Sequence, residues 1–270
     1  MKLHIMTWNI HGLDNFNNYQ MPEFVINTVL SRECDIVILT EFIRNNQWSA
    51  ISRKLAKKYW RYTYPSKSNR HNEILILVKK GIDMFESNNN MDSLKSVSLS
   101  NDNSPNYLQI SLKIKDGKIL TICGVRIINI KDNYDAQYEA LAAQLNSLIK
   151  SNSMIVGGGD FNAWKNYVQK KLQQKKLQQI NVITPPYTMK PNDFSTLDNW
   201  SAIPKDKDGK IGKALIDHFI TSESGMITPN RYSWDFVSKE NGYKDLKPED
   251  YKSDLLYLPD HAILSGILNL

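Results

Sequence analysis

Ser153-Met154-Ile155-Val156-Gly157-Gly158-Gly159-Asp160-Phe161-Asn162 packs three signals into ten residues. The apolar run after the serine has the character of a buried strand. The three glycines permit a backbone turn with φ > 0 and a close approach of main chain to a ligand. Asp160 and Asn162 follow at i and i+2, and in extended chain such a pair points the same way. A carboxylate beside an amide can take a proton from water while the amide holds a phosphate oxygen. An ordinary Gly-Asp turn after a strand has the same letters, so the rest of the chain must decide between the two.

Outward from this segment the pattern repeats. LHIMTWNI (3–10), DIVILTEF (35–42), EILILVKK (73–80), YLQISLKI (107–114), ILTICGVRI (119–127), ALIDHFITS (214–222), RYSWDFV (231–237) and HAILSGIL (261–268) are short apolar or alternating runs. Each is of strand length and is bounded by turn-forming residues. Between some of them the period changes to that of a helix. Trp48, Ile51, Leu55 and Tyr59 predict one amphipathic helix, with Asn45 or Asn46 as cap and Arg53, Lys54, Lys57 and Arg61 outward. Leu141, Leu145, Leu148 and Ile149 predict another between Asn133 and Lys150, and Pro22 suits the first turn of a third carrying Val25 and Val29 inward. Strands outnumber helices and several are apolar throughout. We therefore expect an α/β protein with two sheets packed face to face and helices on their outer faces.

The chain has 270 residues, 41% hydrophobic and 23% charged. That is ordinary globular composition and excludes disordered, collagen-like or disulfide-framework classes. No composition break or repeat divides it, so residues 1–270 are expected to form a single domain. Polar stretches at 86–106, 188–213 and 240–251 predict long loops, which in a compact domain are functional or mobile. Cys34 and Cys123 lie beside apolar runs, as buried reduced thiols do, which points to a cytosol-like compartment. The first residues lack the apolar core of a signal peptide, and no later run reaches membrane-span length, so a soluble, cytoplasmic protein is expected. Thirty-four basic against 28 acidic residues give a net charge of +6 and a pI near 9.0. This admits a nucleic-acid partner but equally describes a well-solvated lysine-rich surface.

Chemistry-bearing side chains fall at strand ends. Asn9 closes the first run, Glu41 the second, Asp160 and Asn162 follow the glycines, Asp217 and His218 sit in LIDHF, and Asp260 and His261 open the last run. Acids at the ends of several buried strands converge at one sheet edge when the chain folds. Taken together, Trp8-Asn9-Ile10-His11-Gly12-Leu13, Leu39-Thr40-Glu41-Phe42, Gly159-Asp160-Phe161-Asn162, Leu215-Ile216-Asp217-His218-Phe219-Ile220 and Pro259-Asp260-His261 resemble, in order, the endonuclease/exonuclease/phosphatase superfamily.

The resemblance implies a four-layer α/β sandwich with a metal-dependent phosphoesterase site. Glu41 would be the main Mg²⁺ ligand, with Asn9 and Asp260 nearby and Mn²⁺ a possible substitute. Sparse oxygen ligands suit magnesium better than a zinc set rich in histidine. Asp160 would activate the attacking water and Asn162 hold a phosphoryl oxygen. His261 would contact the phosphate, oriented by Asp217. In the strand Cys123-Gly124-Val125-Arg126-Ile127 the superfamily usually carries tyrosine or histidine where Arg126 stands; arginine can grip a phosphate bidentately, and the competing reading is an exposed strand residue. Trp200 is the one candidate for the aromatic wedge of abasic-site enzymes, so that activity is not assigned. His11, two residues beyond Asn9, is near the expected site.

Lys165, Lys170, Lys171, Lys175 and Lys176 follow the Asp160 segment without intervening acids, either as a solvated helix or as a ridge tracking phosphates. Three functional readings stay open. The first is a Mg²⁺-dependent nuclease on DNA or RNA phosphodiesters. The second is a phosphatase or phosphodiesterase on a small or lipid-linked phosphate. The third is a catalytically silent module binding nucleic acid or protein. Oligomeric state is not encoded legibly.

Overall fold

The computed structural model describes residues 1–10, 23–42, 48–63, 73–86, 91, 96–99, 104–129, 133–175, 177–185, 200–202, 213–236 and 259–270. The elements in order are β1 (Lys2–Asn9), α1 (Glu23–Arg32), β2 (Ile36–Phe42), α2 (Trp48–Ala56), β3 (Tyr59–Thr63), β4 (Glu73–Lys79), β5 (Val97–Ser98), β6 (Asn106–Lys113), β7 (Ile119–Arg126), α3 (Tyr134–Lys150), β8 (Met154–Asp160), α4 (Lys165–Gln174), β9 (Asn181–Ile183), β10 (Asp217–Thr221), β11 (Ile227–Ser233) and β12 (Ile263–Asn269).

Two six-stranded sheets result, ordered β11-β12-β1-β2-β4-β3 and β5-β6-β7-β8-β10-β9. Each contains one parallel pair, β1 with β2 and β7 with β8, and in each of these a single helix, α1 or α3, makes the connection. The remaining pairs are antiparallel, so both sheets are mixed, as expected for an α/β sandwich.

The period-2 alternation of strand side chains assigns each residue to a layer. In β7, Leu120 and Ile122 join the core between the sheets, while Cys123 and Val125 join the cluster under α3 and α4. In β8, Val156 faces inward and Ile155 outward, and in β10 Phe219 and Ile220 divide likewise. Helix α3 contributes Tyr138, Leu141, Leu145 and Leu148 to the outer cluster and α4 contributes Val168 and Leu172. Val25, Ile26 and Val29 of α1 and Ile51 and Leu55 of α2 complete the first sheet's core. Cys34 and Cys123 are buried and free, and burial pushes their thiols up to about 11 and about 12.

The structure corrects several expectations. The helix predicted to run to Tyr59 stops at Ala56; Tyr59 opens β3, buried, with its hydroxyl donating to the Cys34 carbonyl at 3.0 Å. Tyr59-Trp60-Arg61-Tyr62-Thr63 alternates as a strand does, and an apolar residue at i+11 fits either period. The short strands β5 and β9 were not anticipated. The strand expected at 231–237 begins at Ile227 and ends at Ser233, leaving Trp234 and Phe236 buried beyond it. Pro22, Asn45, Asn46, His11, Lys176 and all of the 240–251 stretch lie outside the described residues, as do most of 86–106 and 188–213.

The glycine run also needs a different account. Gly157, Gly158 and Gly159 form no turn; they lie within β8. A Cβ on Gly158 would come to 3.0 Å from Thr7 of the facing sheet, and one on its register partner Gly124 to 2.5 Å from Ile74 and 2.9 Å from Ile38. These two glycines leave room for Thr7, Ile38 and Ile74 of the facing sheet just beneath the strand ends, where any side chain would collide with them. That close fit lets side chains from different sheets share one site.

Candidate active site

Asn9 and Glu41 end β1 and β2, Arg126 and Asp160 end β7 and β8, Asp217 begins β10, and Asp260 and His261 precede β12. Because β10 runs antiparallel to β8 and β12 antiparallel to β1, all seven emerge at the same edge. Asn9 Nδ2 donates to Glu41 Oε1 at 3.0 Å and to Asp160 Oδ2 at 3.1 Å, joining the two sheets. The same nitrogen lies 3.3 Å from His261 Nε2. His261 Nδ1 bonds Asp217 Oδ2 at 2.8 Å, and its Nε2 lies 3.9 Å from Asp260 Oδ1.

Glu41 is 5% exposed and sits at φ 55°, left-handed for a residue with a Cβ, where the β2/β4 register shifts between Thr40 and Phe42. A bulge of this kind re-aims a side chain at the rim of a sheet, and non-glycine backbone in this region costs on the order of 1–3 kcal/mol. Arg126 is neither exposed nor pointed away. Its Nε and Nη2 both reach Glu41 Oε1, at 2.8 and 2.6 Å, and its side chain is 16% exposed.

Asn162 does not extend alongside Asp160 as i+2 spacing suggests. At φ 49° its chain hooks back, its N–H donating to Asp160 Oδ1 at 2.8 Å and its amide to Asp160 Oδ2 at 3.1 Å and the Ile127 carbonyl at 2.6 Å. The pair is still adjacent, now through a turn.

Burial is the largest influence on Asp160 and raises its carboxyl to about 7; Asp217 adds to that, and the cations of His261 and Arg126 oppose it. Asp217 is likewise raised by burial, against the pull of His261. For His261 burial pushes downward, but the carboxylates of Asp217, Asp260 and Asp160 together outweigh it and hold the ring well above its ordinary value. These carboxylates favour the protonated ring, with Nδ1–H on Asp217. Its Nε2–H cannot bond the Asn9 amide N–H, since both donate, and is available to an acceptor such as a phosphoryl oxygen.

Supporting groups were invisible in the sequence. Trp8 Nε1 donates to the His261 carbonyl at 2.9 Å, and Tyr232 donates to the Asp217 carbonyl at 2.8 Å. Tyr138 and Tyr134 of α3 donate to the Phe161 and Asn162 carbonyls, each at 2.7 Å. His218 is buried, pushed by burial down to about 4, and its neutral ring meets the Ala163 carbonyl through Nε2 at 2.7 Å. It is a strut for the loop rather than a second acid–base group. The alternating tyrosines of α3 offered a signal, but only as amphipathic helix. Trp200 is 4% exposed and takes the Trp234 indole N–H on its carbonyl, so it cannot serve as a wedge.

The lysine stretch divides. Lys171 and Lys175 bind Asp135 and Glu139 of α3, both at 2.6 Å, whereas among the described residues Lys165 and Lys170 make no ion pair. Two of the four described lysines of the supposed ridge are thus neutralised across α3 and α4.

The donor atoms available to a cation at this edge are oxygens, from Glu41, Asp260 and the Asn9 carbonyl, which suits a hard divalent ion that keeps several waters. Among the described residues no three His, Cys, Asp or Glu side chains form a closed cage.

The fold and this cluster define a phosphoesterase of the sandwich type. The model of the endonuclease/exonuclease/phosphatase family matches residues 6–239, and the chain belongs to that family, whose members are phosphoric ester hydrolases and typically depend on a divalent metal. No curated protein sequence matches it. Among solved structures, TDP2 from Caenorhabditis elegans superposes with a TM-score of 0.67 at 16% identity, covering 100% of this chain and 75% of that one. TDP2 from D. rerio, complexed with a single strand DNA product, gives 0.60 at 17% identity over 100% and 99%. ANGEL2, a 2',3'-cyclic phosphatase, gives 0.64 at 13% identity over 99% and 95%. Among the described residues no helix is long and apolar enough to cross a membrane.

Proposed function

We propose that this phosphoesterase is a Mg²⁺-dependent nuclease hydrolysing phosphodiester bonds of DNA or RNA, with Mn²⁺ able to replace Mg²⁺. The observation that carries the reading is the continuous chain Glu41–Asn9–Asp160 with His261–Asp217 beside it, three carboxyl groups and an imidazole ring in one cluster. Displacement at phosphorus needs an oriented nucleophile and neutralisation of charge on the equatorial oxygens.

Asp160, raised toward neutrality by burial, takes the proton from the attacking water. The Nε2–H of His261 holds a phosphoryl oxygen and Asp217 keeps its ring turned for that task; Asn162, whose two amide hydrogens go to Asp160 and the Ile127 carbonyl, exchanges its Asp160 contact for a phosphoryl oxygen when substrate binds. Glu41 would hold the metal, with Asn9 and Asp260 beside it, and the ion would supply charge neutralisation at the phosphate. Arg126 holds Glu41 in place and keeps its charge compensated within reach of the same phosphate. The TDP2 complex with single-stranded DNA supports a nucleic-acid substrate by analogy of fold.

The test is a panel of supercoiled DNA, single-stranded DNA, RNA, an inositol phosphate, sphingomyelin and a 2',3'-cyclic nucleotide, each with Mg²⁺, Mn²⁺ or EDTA. Nucleic acid should be cleaved with either metal and spared with EDTA. Turnover confined to the small or lipid phosphates would move the assignment to them, and no turnover of any ester would leave a binding module.

Arg126 makes a separate prediction. Removing one partner of a buried ion pair costs about 3–5 kcal/mol because the other charge stays buried. Arg126→Ala should therefore lower the thermal midpoint in EDTA, and Mg²⁺ should restore more of the loss than it adds to the wild type. Equal Mg²⁺ stabilisation of both proteins would separate Arg126 from the metal site.

A further inference from the structure

Trp164 is the largest apolar side chain exposed among the described residues, at 52%. The other five tryptophans are packed: Trp8, Trp200 and Trp234 are buried, and Trp48 and Trp60 lie against the core. Trp164 stacks on no other ring among the described residues and bonds no group through its indole nitrogen. Single exposed apolar residues are common and need no explanation by themselves. What distinguishes this one is the main chain that carries it.

Every carbonyl from 161 to 164 is held by a different device. Phe161 accepts from Tyr138, Asn162 from Tyr134, Ala163 meets His218, and Trp164 accepts from the N–H groups of Tyr167 at 2.9 Å and Val168 at 3.1 Å. The Phe161 N–H donates to Ile216 and that of Asn162 to Asp160. A loop pinned at each residue thus ends on an unpinned indole. Trp164 stands two residues beyond Asn162, within about 7 Å along the chain. Lys165 stands next in the chain, and Tyr167, 37% exposed, donates to Asp135 at 3.3 Å and lies beside Tyr134 and Tyr138 with Lys171 over its ring at 5.3 Å.

We infer that Trp164 is a stacking platform for a nucleobase of the substrate strand, adjoining the nucleotide whose phosphate Asn162 and His261 hold. An aromatic fixed before binding loses little freedom when a base lands on it, and base stacking tolerates any sequence. An aliphatic patch would serve a lipid or protein partner as well, but a lone indole beside lysines and a phosphate-binding loop fits a base on a charged backbone. The inference rests on the nuclease reading and specifies its substrate as a strand with an unstacked base at this position.

The test uses the full chain in EDTA, so that nothing is cleaved, with oligothymidylate and the same oligomer made abasic, titrated by calorimetry. Trp164→Ala should weaken oligothymidylate binding by about 5- to 100-fold. Trp164→Phe should restore most of that loss, and the abasic oligomer should bind wild type and variant alike. Unchanged oligothymidylate affinity in Trp164→Ala overturns the platform, as does an equal loss on both oligomers, which would mean a disturbed backbone site. Loss of sedimentation with anionic phospholipid vesicles and not of oligomer binding would overturn it in favour of a membrane contact. Cleavage of DNA or RNA with Mg²⁺, measured on the wild type in parallel, reports separately on the nuclease reading.

Discussion

Asp160→Asn is expected to reduce kcat on a nucleic-acid substrate by about 10²- to 10⁴-fold, the range a positioned general base contributes. The substitution keeps the shape of the side chain and removes only the site for the proton. One of its two oxygens remains an acceptor, so either the Asn162 N–H or the pair of amides from Asn9 and Asn162 loses its partner. Against that loss the variant no longer carries a charge that burial disfavours. Circular dichroism should therefore show the native fold, with a thermal midpoint within a few degrees of wild type. Glu41→Gln should lose activity to a similar extent, because it weakens both the metal ligand and the partner of Arg126. Full turnover by either variant at saturating Mg²⁺ would remove the mechanism.

Gly159→Ala is expected to destabilise the protein by about 3 kcal/mol or more, among the larger effects of a single substitution. A Cβ there would lie 1.8 Å from the Val125 carbonyl oxygen and 2.9 Å from its carbon, and the backbone stands at φ 152°. Both contacts are main chain of the neighbouring parallel strand, so no side chain can swing aside. Either β7 and β8 part, or the ladder that aligns Arg126 with Asp160 shifts. Gly81→Ala makes the comparison: its φ is +77° but nothing lies within 4 Å, leaving backbone strain alone. Urea midpoints should rank Gly159→Ala well below Gly81→Ala. Equal midpoints would mean that the β7/β8 contact is soft.

Much of the candidate site was legible because its residues mark strand ends. A strand is announced by a local apolar run, and a polar residue closing such a run announces the edge at which it will sit. Asn9, Glu41, Asp160 and Asp217 were found this way, and structure brings them together. Arg126 was only partly legible for the complementary reason. Its neighbours on β7 show a strand residue, but its partner Glu41 is 85 positions away on the other sheet. The glycines deceived similarly: three in a row suggest a turn, and only the facing Thr7 and adjacent Val125 reveal that they are needed for contact between chains of atoms rather than for bending.

The lysines after Asp160 show the limit of charge counting. Their acids, Asp135 and Glu139, are carried by α3, which packs beside α4 although β8 intervenes in sequence. The surplus of positive charge has to be sought elsewhere, at Lys165 and Lys170 among the described lysines of that stretch. Trp164 has no sequence signal, since exposure and the anchoring of Phe161 to Trp164 are properties of the folded loop.

The amino-acid sequence by itself determined the principal strands, the α/β class and the order of the acid-bearing edges, since all three follow from periodicity and side-chain type within a few residues. Tertiary structure alone decided which side chains meet across the two sheets, why three glycines stand in β8, and which lysines remain uncompensated. Those outcomes depend on distances between segments far apart in the chain, and such distances are fixed only when the core between the sheets closes and brings Asn9 onto both Glu41 and Asp160.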